Sequence, residues 1–212
     1  MKAVLVLNGE PPSLTRLQQL GQQFPIYAAD GGASVCMVAG VRPEWVAGDF
    51  DSQRLDTLPE DWQVYVVPEQ DRTDFQKVLG KLPEEVDDLL ILGALGRRTD
   101  HLLSNLLIAM TLPDAFKVTF EGEGQLLYRI TPSCPLEENL RVGGILSLLP
   151  LSRIQRVNTS GLKWELSNAE MGPGIQLGQS NQVEKSTVRI EVGEGSLFVW
   201  VDRCSRGQTG LF

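Results

Sequence analysis

The sequence predicts an α/β protein, with a parallel-sheet α/β/α domain over residues 1–122 and an antiparallel β domain over residues 123–212. Three observations carry this reading. Up to about residue 120, short apolar runs rich in β-branched residues alternate with segments of helical periodicity, as strand–helix units on a parallel sheet do. Beyond about residue 122 the helical periodicity vanishes. Strand-like runs there are separated by Gly, Pro, Ser and Asn, the pattern of an antiparallel sandwich or barrel. Finally, several first-half runs end in a glycine-flanked aspartate, which places carboxylates where parallel strands end.

The elements follow in order. Ala3–Leu7 is continuously apolar and reads as a fully buried strand. Ser13–Phe24 carries Leu14, Leu17 and Leu20 on one helical face, with Ser13 as N-cap and Pro25 as stop. Ile26–Ala29 is a strand ending at Asp30, and Ala33–Ala39 a short helix. Trp45–Ala47 and Gln63–Val67 are brief strands, the first leading to Asp49. Thr73–Leu82 is a helix with Phe75, Val78, Leu79 and Leu82 inward. Asp88–Leu92 is a strand, Thr99–Met110 an apolar helix, and Lys117–Phe120 the last strand of this half. In the second half Leu126–Ile130, Ile145–Leu149, Gly161–Leu166, Thr187–Val192 and Leu197–Val201 read as strands.

Composition narrows the function classes. A net charge of −8 argues against non-specific nucleic-acid binding. The three cysteines are widely spaced and His101 is the only histidine, which argues against a Cys/His zinc site. That cysteine usage suggests reduced thiols and a cytoplasmic protein. No apolar stretch approaches the roughly 20 residues that span a bilayer, and no cleavable leader is expected.

Six aspartates in four short stretches carry the chemistry. Asp49 and Asp51 in Gly48-Asp-Phe-Asp-Ser52 face one side if the segment is extended. A turn satisfied by its own Asp and Ser side chains is the plain alternative. Asp71 and Asp74 in Asp-Arg-Thr-Asp flank a helix start, where they serve as caps or turn a carboxylate outward to a metal. Asp30-Gly31-Gly32-Ala33 joins a strand to a helix whose amides suit phosphate. Gly93-Ala-Leu-Gly96-Arg97-Arg98-Thr-Asp100-His101 makes a similar join and supplies two guanidinium groups for phosphate. So much negative charge in one place calls for a cation, and hard oxygen ligands suit Mg²⁺ carried by substrate phosphates. Neither a P-loop nor a dinucleotide-binding glycine pattern occurs. In the second half, Gly161-Leu-Lys-Trp164 and Ser180-Asn181 stand out. Trp164 is either core or a stacking surface for a flat cationic heterocycle.

Taken together and in order, these motifs resemble the thiamine pyrophosphokinase (thiamine diphosphokinase) family over nearly the whole chain. The resemblance rests on Asp-Gly-Gly-Ala (30–33), Gly-Asp-Phe-Asp-Ser (48–52), Gln-Asp-x-Thr-Asp (70–74) and Gly-Ala-x-Gly-x-Arg-x-Asp-His (93–101) with Asn105. Gly-Leu-x-Trp (161–164) and Ser-Asn (180–181) complete it. It implies a C-terminal β-sandwich and a homodimer with thiamine held between subunits. The implied reaction moves a diphosphate from ATP to the hydroxyethyl oxygen of thiamine, giving thiamine diphosphate and AMP. By the same likeness Asp49, Asp51 and Asp74 are Mg²⁺ ligands with Asp71 beside them. Arg98 contacts phosphate and Asp100 is an active-site aspartate. Asp30, Gly31, Gly32, Arg97 and Asn105 are expected around the nucleotide, and Trp164, Ser180 and Asn181 around thiamine. Arg97 departs from the pattern, because many bacterial members have a glycine there. Two rivals remain: diphosphorylation of another hydroxymethyl heterocycle such as a pterin, and a non-catalytic nucleotide or thiamine sensor.

Overall fold

The computed structural model describes residues 1–50, 55–69 and 71–203. The chain divides into two compact units, residues 1–108 with 120–123, and residues 109–119 with the chain from 124 onward.

In the first unit, β1 (Lys2–Val6), β2 (Ile26–Ala29), β3 (Trp45–Gly48), β4 (Val64–Val66) and β5 (Asp88–Leu92) are all parallel. Their order is β5-β1-β2-β3-β4. The chain runs outward from β1 on one side and re-enters at β5 on the other. This reversal opens a crevice at the carboxyl ends of the strands, where ligands of open α/β sheets bind. Among the described residues four α-helices accompany the strands: α1 (Leu14–Gly21), α2 (Gly32–Ala39), α3 (Asp74–Leu79) and α4 (Thr99–Met110). Val4, Val6, Ile26, Ala28, Leu90 and Leu92 pack with Leu17, Leu20 and Cys36 of α1 and α2. The alternate residues Ala3, Leu5, Leu89 and Ile91 are buried as well, so both faces of the sheet are covered. Burial pushes the Cys36 thiol up to about 12, as befits an inert packing residue.

The second unit is built from β7 (Gln125–Ile130), β8 (Leu136–Asn139), β9 (Ile145–Leu149), β10 (Ile154–Ser160), β11 (Ala169–Met171), β12 (Gly178–Gln182), β13 (Thr187–Glu191) and β14 (Leu197–Asp202). β6 (Lys117–Gly122) has residues in both units. β12-β9-β14-β7 and β11-β10-β13-β8 are two antiparallel arrays. Alternating side chains from both meet in one core, including Leu126, Tyr128, Leu146, Leu148, Val157, Val188 and Ile190. Two sheets closed on one shared core make a β-sandwich.

The structure corrects several sequence expectations. Gly161–Leu166 is not a strand. Gly161 has φ +83° and its carbonyl accepts the amides of Glu184 and Lys185, so the chain turns out of β10 there. Ser180–Asn181, outside every strand expected from the sequence, lies on strand β12. β8, β10 and β11 were not legible as strands. The helix expected over 73–82 is shorter, Asp74–Leu79, but starts at Thr73 with a full capping box to Gln76.

Candidate active site

The loops after β1, β2, β3 and β5, with α3 and the start of α4, enclose a cleft of about 610 Å³ within the first unit. That volume suits a nucleotide-sized ligand. Asp30, Asp49, Asp74, Arg97, Arg98, Asp100 and Asn105 line it. Asp71 does not; it is exposed at the turn before α3. Gly31 and Gly32 are not lining residues either, but shape the floor. A Cβ at Gly32 would come within 2.2 Å of the Val6 carbonyl oxygen, so only glycine lets α2 begin this close to β1. Gly93, at φ +69°, similarly has no room for a Cβ beside the Leu7 carbonyl. The β1–β5 ladder continues past both strands, with the Gly9 amide donating to Gly93 O at 2.6 Å and the Glu10 amide to Leu95 O at 3.3 Å. Asn8 and Gly9 are thereby fixed in the cleft wall. Neither residue is among those expected from the motifs, although an Asn-Gly directly after a buried strand is itself a signal for a loop at the crevice.

Asp30 is only 3% exposed and sits at φ +39°, in the left-handed region that Asp tolerates better than most residues. Phe50 is also left-handed, at φ +58°. The segment is therefore not extended there, and the same-side argument for Asp49 and Asp51 does not hold as expected. Asp51 lies outside the described residues.

The strongest electrostatic feature is a residue not anticipated from sequence. Lys77, one α3 turn beyond Asp74, has a side chain only 1% exposed. Its Nζ donates to Asp49 Oδ2 at 2.6 Å and to Asp74 Oδ1 at 3.4 Å. Desolvation alone would lower its pKa. The hydrogen bonds to, and charges of, Asp49 and Asp74 outweigh this and hold it above the ordinary lysine value. Two carboxylates from different elements thus already converge on one cation position. Among the described residues no group of three His, Cys, Asp or Glu side chains forms a ready metal cluster. Two carboxylate oxygens in an open cleft fit Mg²⁺, which keeps several ligands from water or phosphate rather than a full protein cage.

Arg98 and Asp100 form a bidentate pair, Nε–Oδ1 3.1 Å and Nη2–Oδ2 2.5 Å, with side chains 68% and 63% exposed. The hydrogen bonds from Arg98 hold the Asp100 carboxyl at about 2, so it stays ionised throughout the neutral range. Arg97 has φ +51° and reaches the Asn8 carbonyl at 3.4 Å. A non-glycine residue in that conformation costs about 1 kcal/mol or more, so glycine would be the less strained residue there. Arg97→Gly is therefore expected to leave stability unchanged or slightly raised. Arg98→Lys should cut turnover at least about tenfold, since a point charge cannot copy the guanidinium fork. Thermal melts and steady-state rates of both variants check this. Loss of activity in Arg97→Gly with a normal Arg98→Lys would reverse the two roles.

In the second unit Trp164 is 57% exposed, on a loop pinned at several points. The Trp164 amide donates to Asn181 Oδ1 at 3.2 Å, and Asn181 Nδ2 donates to Trp164 O at 2.8 Å. The Lys163 amide donates to Gln182 O at 2.9 Å, and Glu165 Oε1 accepts the Gly161 amide at 2.7 Å. Asn181 is thus buried and spends its amide on the Trp164 backbone. Ser180 is exposed, at φ +58° beside a register shift of β12 against β9. That bulge turns Asn181 inward and Ser180 outward. Lys163 Nζ lies 4.9 Å from the Trp164 ring centroid, covering one face.

Comparison with known proteins agrees with this architecture. The family model described as thiamin pyrophosphokinase, catalytic domain, matches residues 18–120, and that for the vitamin B1 binding domain matches residues 133–197. Thiamine pyrophosphokinase 2 of Arabidopsis thaliana is 34% identical, over 89% of this chain and 82% of its own. Thiamine pyrophosphokinase of Bacillus subtilis is 26% identical, over 94% and 98%. A crystal structure of a Bacillus subtilis thiamine pyrophosphokinase superposes with a TM-score of 0.80 at 22% identity, covering 95% of this chain and 99% of that one. One from Geobacillus thermodenitrificans gives 0.79 at 24%, covering both chains fully. Two domain matches in the expected order, with relatives spanning most of the chain, place this protein in the thiamine pyrophosphokinase family.

Proposed function

We propose that the cleft of the first unit holds Mg²⁺–ATP and that Trp164 and Ser180 receive thiamine, with Asn181 fixing the Trp164 loop. The chain is an enzyme that transfers diphosphate to thiamine, producing thiamine diphosphate. The observation that carries the cleft assignment is the convergence of Asp49 and Asp74 on one buried cation position, in a cleft that also presents Arg97 and Arg98.

The transferred group is the terminal diphosphate of ATP. The thiamine hydroxyl oxygen forms a bond to the β-phosphorus, the bond from that phosphorus to the α,β-bridging oxygen breaks, and AMP leaves with its electron pair. The hydroxyl proton must be accepted as the new bond forms. Asp74, half-exposed at the cleft, is the better placed acceptor; Asp71 lies outside the lining. Asp49 and Asp74, with Asp51, would hold Mg²⁺, which supplies charge neutralisation on the phosphates when bound. Arg98 supplies positive charge to phosphate oxygens, its fork held ready by Asp100. Asn8, Gly9 and Asn105 give the cleft fixed polar walls that orient the nucleotide.

The working unit in this proposal is a homodimer, with thiamine held by one subunit's Trp164 and served by the partner's cleft. A cytoplasmic location rests on cysteine usage; Cys36 and Cys134 are free thiols. No helix among the described residues is long and apolar enough to cross a membrane. The test is direct: incubate purified protein with thiamine and Mg²⁺–ATP and quantify AMP and thiamine diphosphate. Equimolar formation of both supports the proposal. Formation of ADP and thiamine monophosphate, or AMP without thiamine diphosphate, would overturn it.

A further inference from the structure

Lys77 needs an explanation that a solvent-exposed helical lysine would not. A buried ammonium is costly unless paired, and this one is paired twice. The capping box at Thr73 fixes the start of α3, and the i, i+3 spacing then sets Asp74 and Lys77 on one face. Phe75 and Val78 are buried on either side of Lys77 in sequence, so the helix cannot rotate it into water without exposing them. Asp49 reaches the same ammonium from the end of β3. One cation therefore bridges two elements that the cleft needs in register.

We propose that Lys77 is a resident counter-ion: it holds the Asp49–Asp74 pair together in the metal-free protein and suppresses binding of bare divalent cation. It acts through the two carboxylates as a positioning residue. The inference rests on the reading that Asp49 and Asp74 take Mg²⁺, but on nothing about thiamine. Mg²⁺ arriving alone must compete with an ammonium already seated on both ligands. Mg²⁺ arriving with phosphates brings negative charge that gives Lys77 another partner. The cleft is thereby biased towards the metal–nucleotide complex.

The test is metal binding without nucleotide or thiamine, by calorimetric titration with Mg²⁺ and by electron paramagnetic resonance with Mn²⁺. Wild type should bind either ion weakly. Lys77→Met should bind at least about tenfold more tightly, because two carboxylates lose their competitor. Its metal-free melting temperature should fall, and millimolar Mg²⁺ should restore it. Lys77→Arg, which keeps the charge, should retain the weak wild-type affinity. If Lys77→Met does not fold without metal, refolding on Mg²⁺ addition supports the inference. If it folds under no condition, Lys77→Gln and Lys77→Arg decide by the same titration: tighter binding in the first alone supports, equal affinities overturn. Metal affinity and Mg²⁺-dependent stability in Lys77→Met equal to wild type would also overturn it. An enzyme that fails to use thiamine yet shows the tenfold tightening would sink the proposed activity and leave this inference standing.

Discussion

Asp49→Asn is expected to lower turnover by about 10²–10³-fold, the range seen when one preorganised charge-stabilising group is removed. On the proposed reading the variant loses a Mg²⁺ ligand. It also leaves the Lys77 ammonium with Asp74, at 3.4 Å, as its remaining carboxylate among the described residues. From sequence alone, removing one of several clustered carboxylates should relieve repulsion and spare the fold. The structure reverses that sign. Asp49 is 14% exposed and pairs with a lysine that is 1% exposed, so neutralising it leaves a buried positive charge under-compensated. A stability loss of about 1–3 kcal/mol should accompany the activity loss, since the partner group is stranded. Assays well below the melting temperature, with circular dichroism as a control, separate the two effects. Near-wild-type turnover at ordinary Mg²⁺ would end the metal assignment. A variant at least as stable as wild type, but inactive, would end the Lys77–Asp49 account. Asp51→Asn belongs in the same series.

How much of this was readable beforehand depends on which physical signal each element leaves in the sequence. Strands β1, β2 and β5 are continuous apolar runs because both faces of the sheet are covered, and such runs are hard to miss. The aspartates after β2 and β3 follow from those strands at once. Lys77 was not legible because a lysine in an amphipathic helix ordinarily snorkels to water. The clue present was its i, i+3 relation to Asp74 between two residues expected inward. Phe50's left-handed backbone leaves no mark in composition, so the extended reading fails at that residue, while residues 51 and 52 lie outside the described residues. In the sandwich, β12 reads Gly-Gln-Ser-Asn-Gln and has no apolar residue, being an edge strand held by its backbone ladder to β9. β10 hides its alternation because Arg156 sits at φ +54° inside a register shift against β11. Asn181 was read as touching thiamine. Its side chain supports the neighbouring loop through the Trp164 backbone, a role that only the hydrogen-bond partners reveal.

Trp164→Ala is expected to raise the thiamine KM by roughly 5- to 30-fold, equivalent to about 1–2 kcal/mol of stacking and cation–π attraction, with little change in the ATP KM. The exposure of this ring and the hydrogen bonds that pin its loop motivate the prediction. A large aromatic held rigid yet left more than half exposed is preorganised for a ligand, so little ordering entropy opposes binding. Lys163 already covers one face, which leaves the other for a heterocycle. Fold stability should change little, because the ring buries less than half of its surface. The same variant tests the proposed dimer. If thiamine on one subunit's Trp164 is served by the partner's carboxylates, Trp164→Ala and Asp49→Asn homodimers are both poor. A heterodimer of the two then contains one site with both lesions and one with neither, as two-fold symmetry requires. Mixing the variants under subunit exchange should recover up to about half of the wild-type activity per heterodimer, and so about a quarter for a random mixture of dimers, following that symmetry. The measurement is thiamine diphosphate formation at low thiamine, with heterodimer content verified by differential tagging. Verified heterodimers that regain no activity would place each complete site within a single chain.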